Sequence, residues 1–101
     1  MKRTMVVVGA VAAVLVSTSV GAADVMAGKA KFAVCAGCHG PNGSGNVALG
    51  YPQLTGKTAT YIEEQLRDFK SGKRDNATMK AMAAGLNERD IQDVAAYIAT
   101  L

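Results

Sequence analysis

The chain has 101 residues with 11 Lys/Arg against 8 Asp/Glu, a formal charge of +3, two cysteines, one histidine and no tryptophan. That length sets an expectation of one domain. No basic stripe interleaved with aromatics is present, which argues against nucleic-acid binding.

Lys2 and Arg3 form a short basic head, Met5 to Val16 is apolar apart from Gly9, and Ser17 to Ala23 reads "STSVGAA". This is the three-part pattern of a secretory leader. A membrane anchor would need about 20 apolar residues and a cationic stop, and neither is here. The expectation is a cleaved signal peptide over 1–23, cut after Ala22 or Ala23, and one domain over 24–101. Membrane association is expected only if the leader stays uncleaved. The remaining 78 residues carry nine cations and eight anions, a formal charge of +1. So short a domain, poor in aromatics, needs a disulfide framework, a metal or a large apolar cofactor to complete its core. A bridge between cysteines two residues apart closes too short a loop to serve.

Val25, Gly28, Phe32 and Cys35 make one stripe of a helix expected over Val25 to Ala36. From Gly37 to Gly56 the periodicity stops, in a loop holding both prolines of the chain. A loop of that length inside a small domain is unusual and normally either functional or disordered. Wrapping a cofactor would explain it. Thr60 to Glu63 fits a capping box for a second helix that ends at Ser71 before Gly72. Tyr61, Ile62, Gln65, Leu66 and Phe69 form its inner side. A short helical piece is expected from Met79 to Gly85. Asn87 caps the last helix, with Leu86 and Ile91 placed as a hydrophobic staple. Ile91, Val94, Ala95, Ile98 and Leu101 are its buried stripe, with Tyr97 beside Val94. No strand pattern competes, so the expected class is all-α.

Cys35-Ala36-Gly37-Cys38-His39 holds both cysteines and the histidine. A zinc site needs four ligands and finds no second Cys or His pair. A dithiol oxidoreductase places its motif in a strand-rich βαβ chain, and none is indicated here. Attachment of haem uses all three residues: each thiol adds to one porphyrin vinyl group, and the adjacent histidine reaches the iron. Cys-x-x-Cys-His is the signature of c-type haem attachment. Export supplies the compartment that this attachment requires. A neutral sixth ligand after the motif could come from Met79 or Met82, and spacing alone does not choose between them. Thioether ligation opposite histidine suits electron carriers and raises the reduction potential. "GYPQLTGKT" (Gly50 to Thr58) has five residues between its glycines, where a phosphate-binding loop has four. The acidic pairs Glu63/Glu64 and Asp90/Asp93 read as solvated helix faces.

Three segments, "GKAKFAVCAGCHG", "YPQLTGKTATYIEEQLRDFKSGKR" and "MKAMAAGLNERDIQDVAAYIATL", resemble the class I c-type cytochromes. The likeness is to small bacterial haem domains that also occur in tandem, and it covers essentially all of residues 25–101. It implies the cytochrome c fold, about four helices around one covalently attached haem c. By this resemblance Cys35 and Cys38 carry the thioethers and His39 is the proximal ligand. Met79 stands seven residues before Leu86, the family's position for the other axial ligand, with Met82 as runner-up. Pro52, in the family's P-x-L-x-G segment, offers its carbonyl to the proximal histidine. Gly28 and Phe32 match the contact of the first helix with an aromatic on the last, here Tyr97. Lys57 stands where the family often has Gln, and Asn76 to Thr78 replace a proline before the methionine.

The implied protein is a periplasmic electron carrier, not an enzyme, with no small-molecule substrate. Its partners would be redox proteins: a cytochrome bc complex or dehydrogenase as donor, a terminal oxidase or reductase as acceptor. The alternatives are a haem subunit held permanently in a dehydrogenase or oxidase complex and, from another class, a secreted dithiol oxidoreductase.

Overall fold

The computed structural model describes residues 3–7, 9–10 and 22–101, so most of the expected leader over 1–23 lies outside the described residues. Four helices follow: α1 (Val25–His39), α2 (Ala59–Ser71), α3 (Ala77–Ala84) and α4 (Glu88–Ile98). No strand is formed among the described residues; the single β-bridge joins Asn46 to Tyr51. None of these helices is long and apolar enough to cross a membrane.

The local signals explain most helix ends. Asp24 caps α1, its side chain accepting from the Met26 and Ala27 amides. Asn87 and Asp90 form a reciprocal capping box at the start of α4, which satisfies two of the helix's unpaired donors. Gly72 closes α2 in the left-handed conformation. Several boundaries differ from the sequence expectation: α3 begins at Ala77, two residues before Met79, because Asn76 caps it. α1 runs three residues further, through Cys35 to His39, because Gly37 is compatible with helical backbone and the stop comes only at Gly40. α2 begins at Ala59, since Thr58 rather than Thr60 accepts the Tyr61 amide.

α1 and α4 cross closely, and the sequence sets how closely. A Cβ placed on Gly28 would fall 2.5 Å from the Asp93 carbonyl carbon, closer still to its oxygen, and 3.0 Å from the Tyr97 Cβ. The Phe32 and Tyr97 rings fill the crossing, centroids 5.3 Å apart. Around them Ile62, Leu86, Ile91, Val94, Ala95 and Ile98 make one buried cluster. An ion pair between Arg67 and Glu88 ties α2 to α4. The Lys70 ammonium donates to the Leu86 carbonyl between α3 and α4.

Asp93 corrects one expectation. It is not on a solvated face but 5 % exposed in the α1–α4 interface. Its Oδ1 accepts the Asp24 amide at 2.8 Å and meets the Arg89 guanidinium at 3.2 Å. A buried carboxylate persists only when its oxygens are partnered, and both partners come from helix starts.

Candidate functional site

The helical end of α1 carries the cysteine–histidine motif into the core. Cys35 and Cys38 are half-buried free thiols one helical turn apart, and His39, the last helical residue, is buried at 5 % exposure. Burial pushes the Cys35 thiol up, with a smaller contribution from Cys38 in the same direction. The Tyr51 phenol is pushed up chiefly by its hydrogen bond to Cys38. The contributions of Cys38 to both shifts belong to a free thiol and would end with thioether formation.

The loop after α1 folds back over the histidine. The Gly45 amide donates to the His39 carbonyl at 2.8 Å, and the Leu54 amide to the Gly43 carbonyl at 2.8 Å. Gly45 has φ of +74°, and a Cβ there would fall 2.7 Å from the Pro52 carbonyl carbon, the Gln53 nitrogen and the Tyr51 oxygen. Only glycine allows that approach. It sets the Pro52 carbonyl 2.9 Å from His39 Nδ1. A carbonyl oxygen only accepts, so in the neutral ring Nδ1 bears the proton and Nε2 keeps the lone pair.

Two cavities adjoin the histidine. The outer one, about 230 Å³, is lined by Val34, Cys38, Leu49, Tyr51, Asn76 and Met82 among others. The inner one, about 60 Å³, is walled by Leu54, Ile62, Leu66, Leu86, Val94 and Ile98. Cys35, His39 and Met79 line both. Met82 lines only the outer cavity and is 48 % exposed. A third cavity of about 310 Å³, with a mixed lining, includes Pro52, Leu54, Lys57, Tyr61, Gln65 and Arg74. It shares Leu54, Ile62 and Gln65 with the inner cavity and Pro52 with the outer one. Through these shared wall residues the three adjoin as a divided cleft, with Lys57 and Arg74 at its cationic end.

Asn76 entered the sequence reading only as part of the segment that lacks the family's proline, and its capping role was missed. Its side chain caps α3 by accepting the Met79 amide at 2.9 Å. It thereby orders the backbone of Met79 where the resemblance led one to look for a proline. An Asn three residues before the methionine was the available signal. Arg74 likewise went unremarked; it donates to Gln65 at 2.6 Å and stacks on Phe69 at 4.6 Å.

The family profile for cytochrome c matches residues 25–101. Cytochrome c-554(548) of Halomonas halodenitrificans is 43% identical over 79 residues, covering 75% of this chain and 94% of that protein. A relative from Thiomonas intermedia called thiosulfate dehydrogenase electron acceptor is 44% identical over 69 residues, covering 68% of this chain and 32% of its own length. The crystal structure of reduced cytochrome c4 from Pseudomonas stutzeri superposes with a TM-score of 0.73 at 38% identity, covering 82% of this chain and 52% of that one. The chain spans about a third of the length of the curated cytochrome c4 relatives it matches.

Proposed function

The chain belongs to the cytochrome c family, and from that premise we propose that it carries single electrons between redox proteins through one covalently attached haem c. The observation that carries this reading is the cleft itself. One wall presents two free thiols and a histidine, and Met79 lines the same two cavities as His39.

The residues present fit the group. Cys35 and Cys38, spaced Cys-x-x-Cys on one helical turn, are its thioether tethers. His39 would offer Nε2 to the iron while Pro52 holds Nδ1–H, which fixes the ring and raises its basicity. Met79 would offer its thioether to the iron, favoured over Met82 because it reaches the inner cavity as well. Leu54, Ile62, Leu66, Leu86, Val94 and Ile98 exclude water from the inner side. Lys57, Gln65 and Arg74 give the polar end suited to the porphyrin's carboxylates. When bound, the haem would supply an iron that alternates between ferrous and ferric states.

Val34, Leu49 and Met82 line the outer cavity and are 68 %, 67 % and 48 % exposed. They form an apolar rim suited to brief docking beside the motif. A mature charge near +1 favours weak, short-lived complexes over strong steering. A dehydrogenase is the donor class favoured by the relative named for accepting electrons from one. The acceptor class is a terminal oxidase or reductase. The domain begins at Asp24, the cap of α1, directly after the leader pattern; this supports removal of 1–23 on export to the periplasm.

The test is the chain expressed with its own leader in a host that attaches haem c. The purified protein should keep its haem through acid–acetone extraction. Its reduced pyridine haemochrome should have the band position of two saturated vinyl groups, moved to longer wavelength in Cys35→Ser. Haem that extracts freely would refute the reading.

A further inference from the structure

We propose that maturation at the Ala23–Asp24 bond builds an ion pair into the α1–α4 crossing: the freed α-ammonium of Asp24 against the buried carboxylate of Asp93. In the uncut chain the Asp24 nitrogen is a peptide amide that donates to Asp93 Oδ1 at 2.8 Å. Hydrolysis by an exporting-cell endopeptidase adds water across the Ala23 carbonyl carbon and the Asp24 nitrogen. Ala23 leaves as a carboxylate, and the Asp24 nitrogen becomes a primary amine, protonated at neutral pH. The atom that touches Asp93 is then a cation.

Charge balance points the same way. Among the described residues these groups meet there: the Asp93 carboxylate, the Asp24 carboxylate that caps α1, the Arg89 guanidinium and the Asp24 nitrogen. With a peptide nitrogen the first three sum to −1; with an ammonium the cluster is neutral. Asp93 is 5 % exposed, and a buried excess charge is unfavourable. The new cation also stands at the N-terminus of α1, where the helix dipole repels it. Two carboxylates within reach offset that repulsion. Gly28 completes the seat, since its missing side chain lets the Asp93 backbone lie against α1. Arg89 also donates to the Ala22 carbonyl at 2.8 Å, a contact that cleavage removes, so its guanidinium no longer shares that acceptor.

A charged hydrogen bond is about twice as strong as a neutral one. Processing at this bond, rather than one residue earlier, therefore tightens the helix that carries Cys35 to His39. The inference rests on the leader being removed, not on haem chemistry, so its failure is separable from failure of the proposed function.

The experiment compares two exported, haem-loaded proteins: the natural one, and one with a single Gly inserted between Ala23 and Asp24. Intact mass should give Asp24 as the first residue of the natural protein and Gly in the variant. In guanidinium unfolding the natural start should favour the folded state by about tenfold more. Asp93→Asn should erase that difference. A mature start other than Asp24, equal stability of the two starts, or a difference that survives in Asp93→Asn would each overturn the proposal. If Asp93→Asn fails to fold, acylation of the α-amine decides instead. It should be slower in the Asp24 start than in the Gly-extended one, and equal rates refute the ion pair.

Discussion

Gly28→Ala sets two effects of known size against each other on α1. Alanine is the better helix former by about 1 kcal/mol, so on local grounds the change should stabilise. The crossing opposes it. The added Cβ would lie 2.5 Å from the Asp93 carbonyl carbon, against an optimal carbon–carbon separation of about 3.5 Å. The obstacle is backbone inside a capped helix, so no rotamer change relieves it. α1 and α4 must separate by about 1 Å, which forfeits a quarter to a half of the dispersion energy between facing atoms. Phe32, Val94, Ala95 and Tyr97 all lie at or beside that face. With overpacking at the upper end of its usual range, about 3 kcal/mol, less the helix gain of about 1 kcal/mol, the expected net loss is roughly 2 kcal/mol, a large part of a small domain's stability. Gly37→Ala is the matched control: it lies in the same helix and a Cβ there meets nothing within 4 Å. Guanidinium unfolding of the haem-loaded proteins, followed by far-UV circular dichroism, should lower the midpoint for Gly28→Ala. For Gly37→Ala the midpoint should rise, with a gain of up to about 1 kcal/mol. A Gly28→Ala midpoint at or above that of the parent would refute the account of the crossing.

Met79→Ala should abolish the far-red sulfur–iron charge-transfer band of the ferric protein, whereas Met82→Ala should retain it; the reverse pattern would move the ligand to Met82. Asn76→Ala removes the cap that holds the Met79 amide and should lower stability by about 1 kcal/mol, with loss of the same band at a lower temperature on heating. Gly45→Ala places an L side chain at φ of +74°, a strain of about 1–2 kcal/mol before the clash with Pro52 is added. By loosening the Pro52 carbonyl from His39 it should also move the reduction potential positive in voltammetry, because a less basic imidazole supports ferric iron less well. Arg67 holds the Glu88 carboxyl below the usual carboxylate range through their hydrogen bond. A depressed folded-state pKa gives stability that is present above the unfolded value and is lost as pH falls through the folded one. Acid titration of stability should therefore be shallower in Glu88→Gln than in the parent, by a small amount because the pair is exposed.

What could be read from the residues was what short-range chemistry decides. Asn87 as the cap of α4, Gly72 after Ser71, and the Ile91–Val94–Ile98 stripe each act within a turn or two of helix. The crossing of Gly28 and Phe32 with Tyr97 was legible only through the family resemblance, since nothing in the spacing joins residues so far apart. Thr58 and Thr60 are equal candidates as caps until the path of the preceding loop selects one. Asp93 is the most instructive case. A carboxylate amid "ERDIQD" has every local mark of a solvated face, yet it adjoins Val94 and Ala95 at the centre of the crossing. Its burial is decided by a glycine on another helix and by the nitrogen of Asp24, both far away in the chain. The same long-range geometry sets the cleft. His39 is aimed by Pro52, which is placed by Gly45, so a loop poor in periodic signal determines which imidazole nitrogen is left with a lone pair. A domain with nine buried hydrophobic residues is organised around a cleft that its own side chains line without closing. That arrangement makes chemical sense when a large, flat, amphipathic group belongs to the fold.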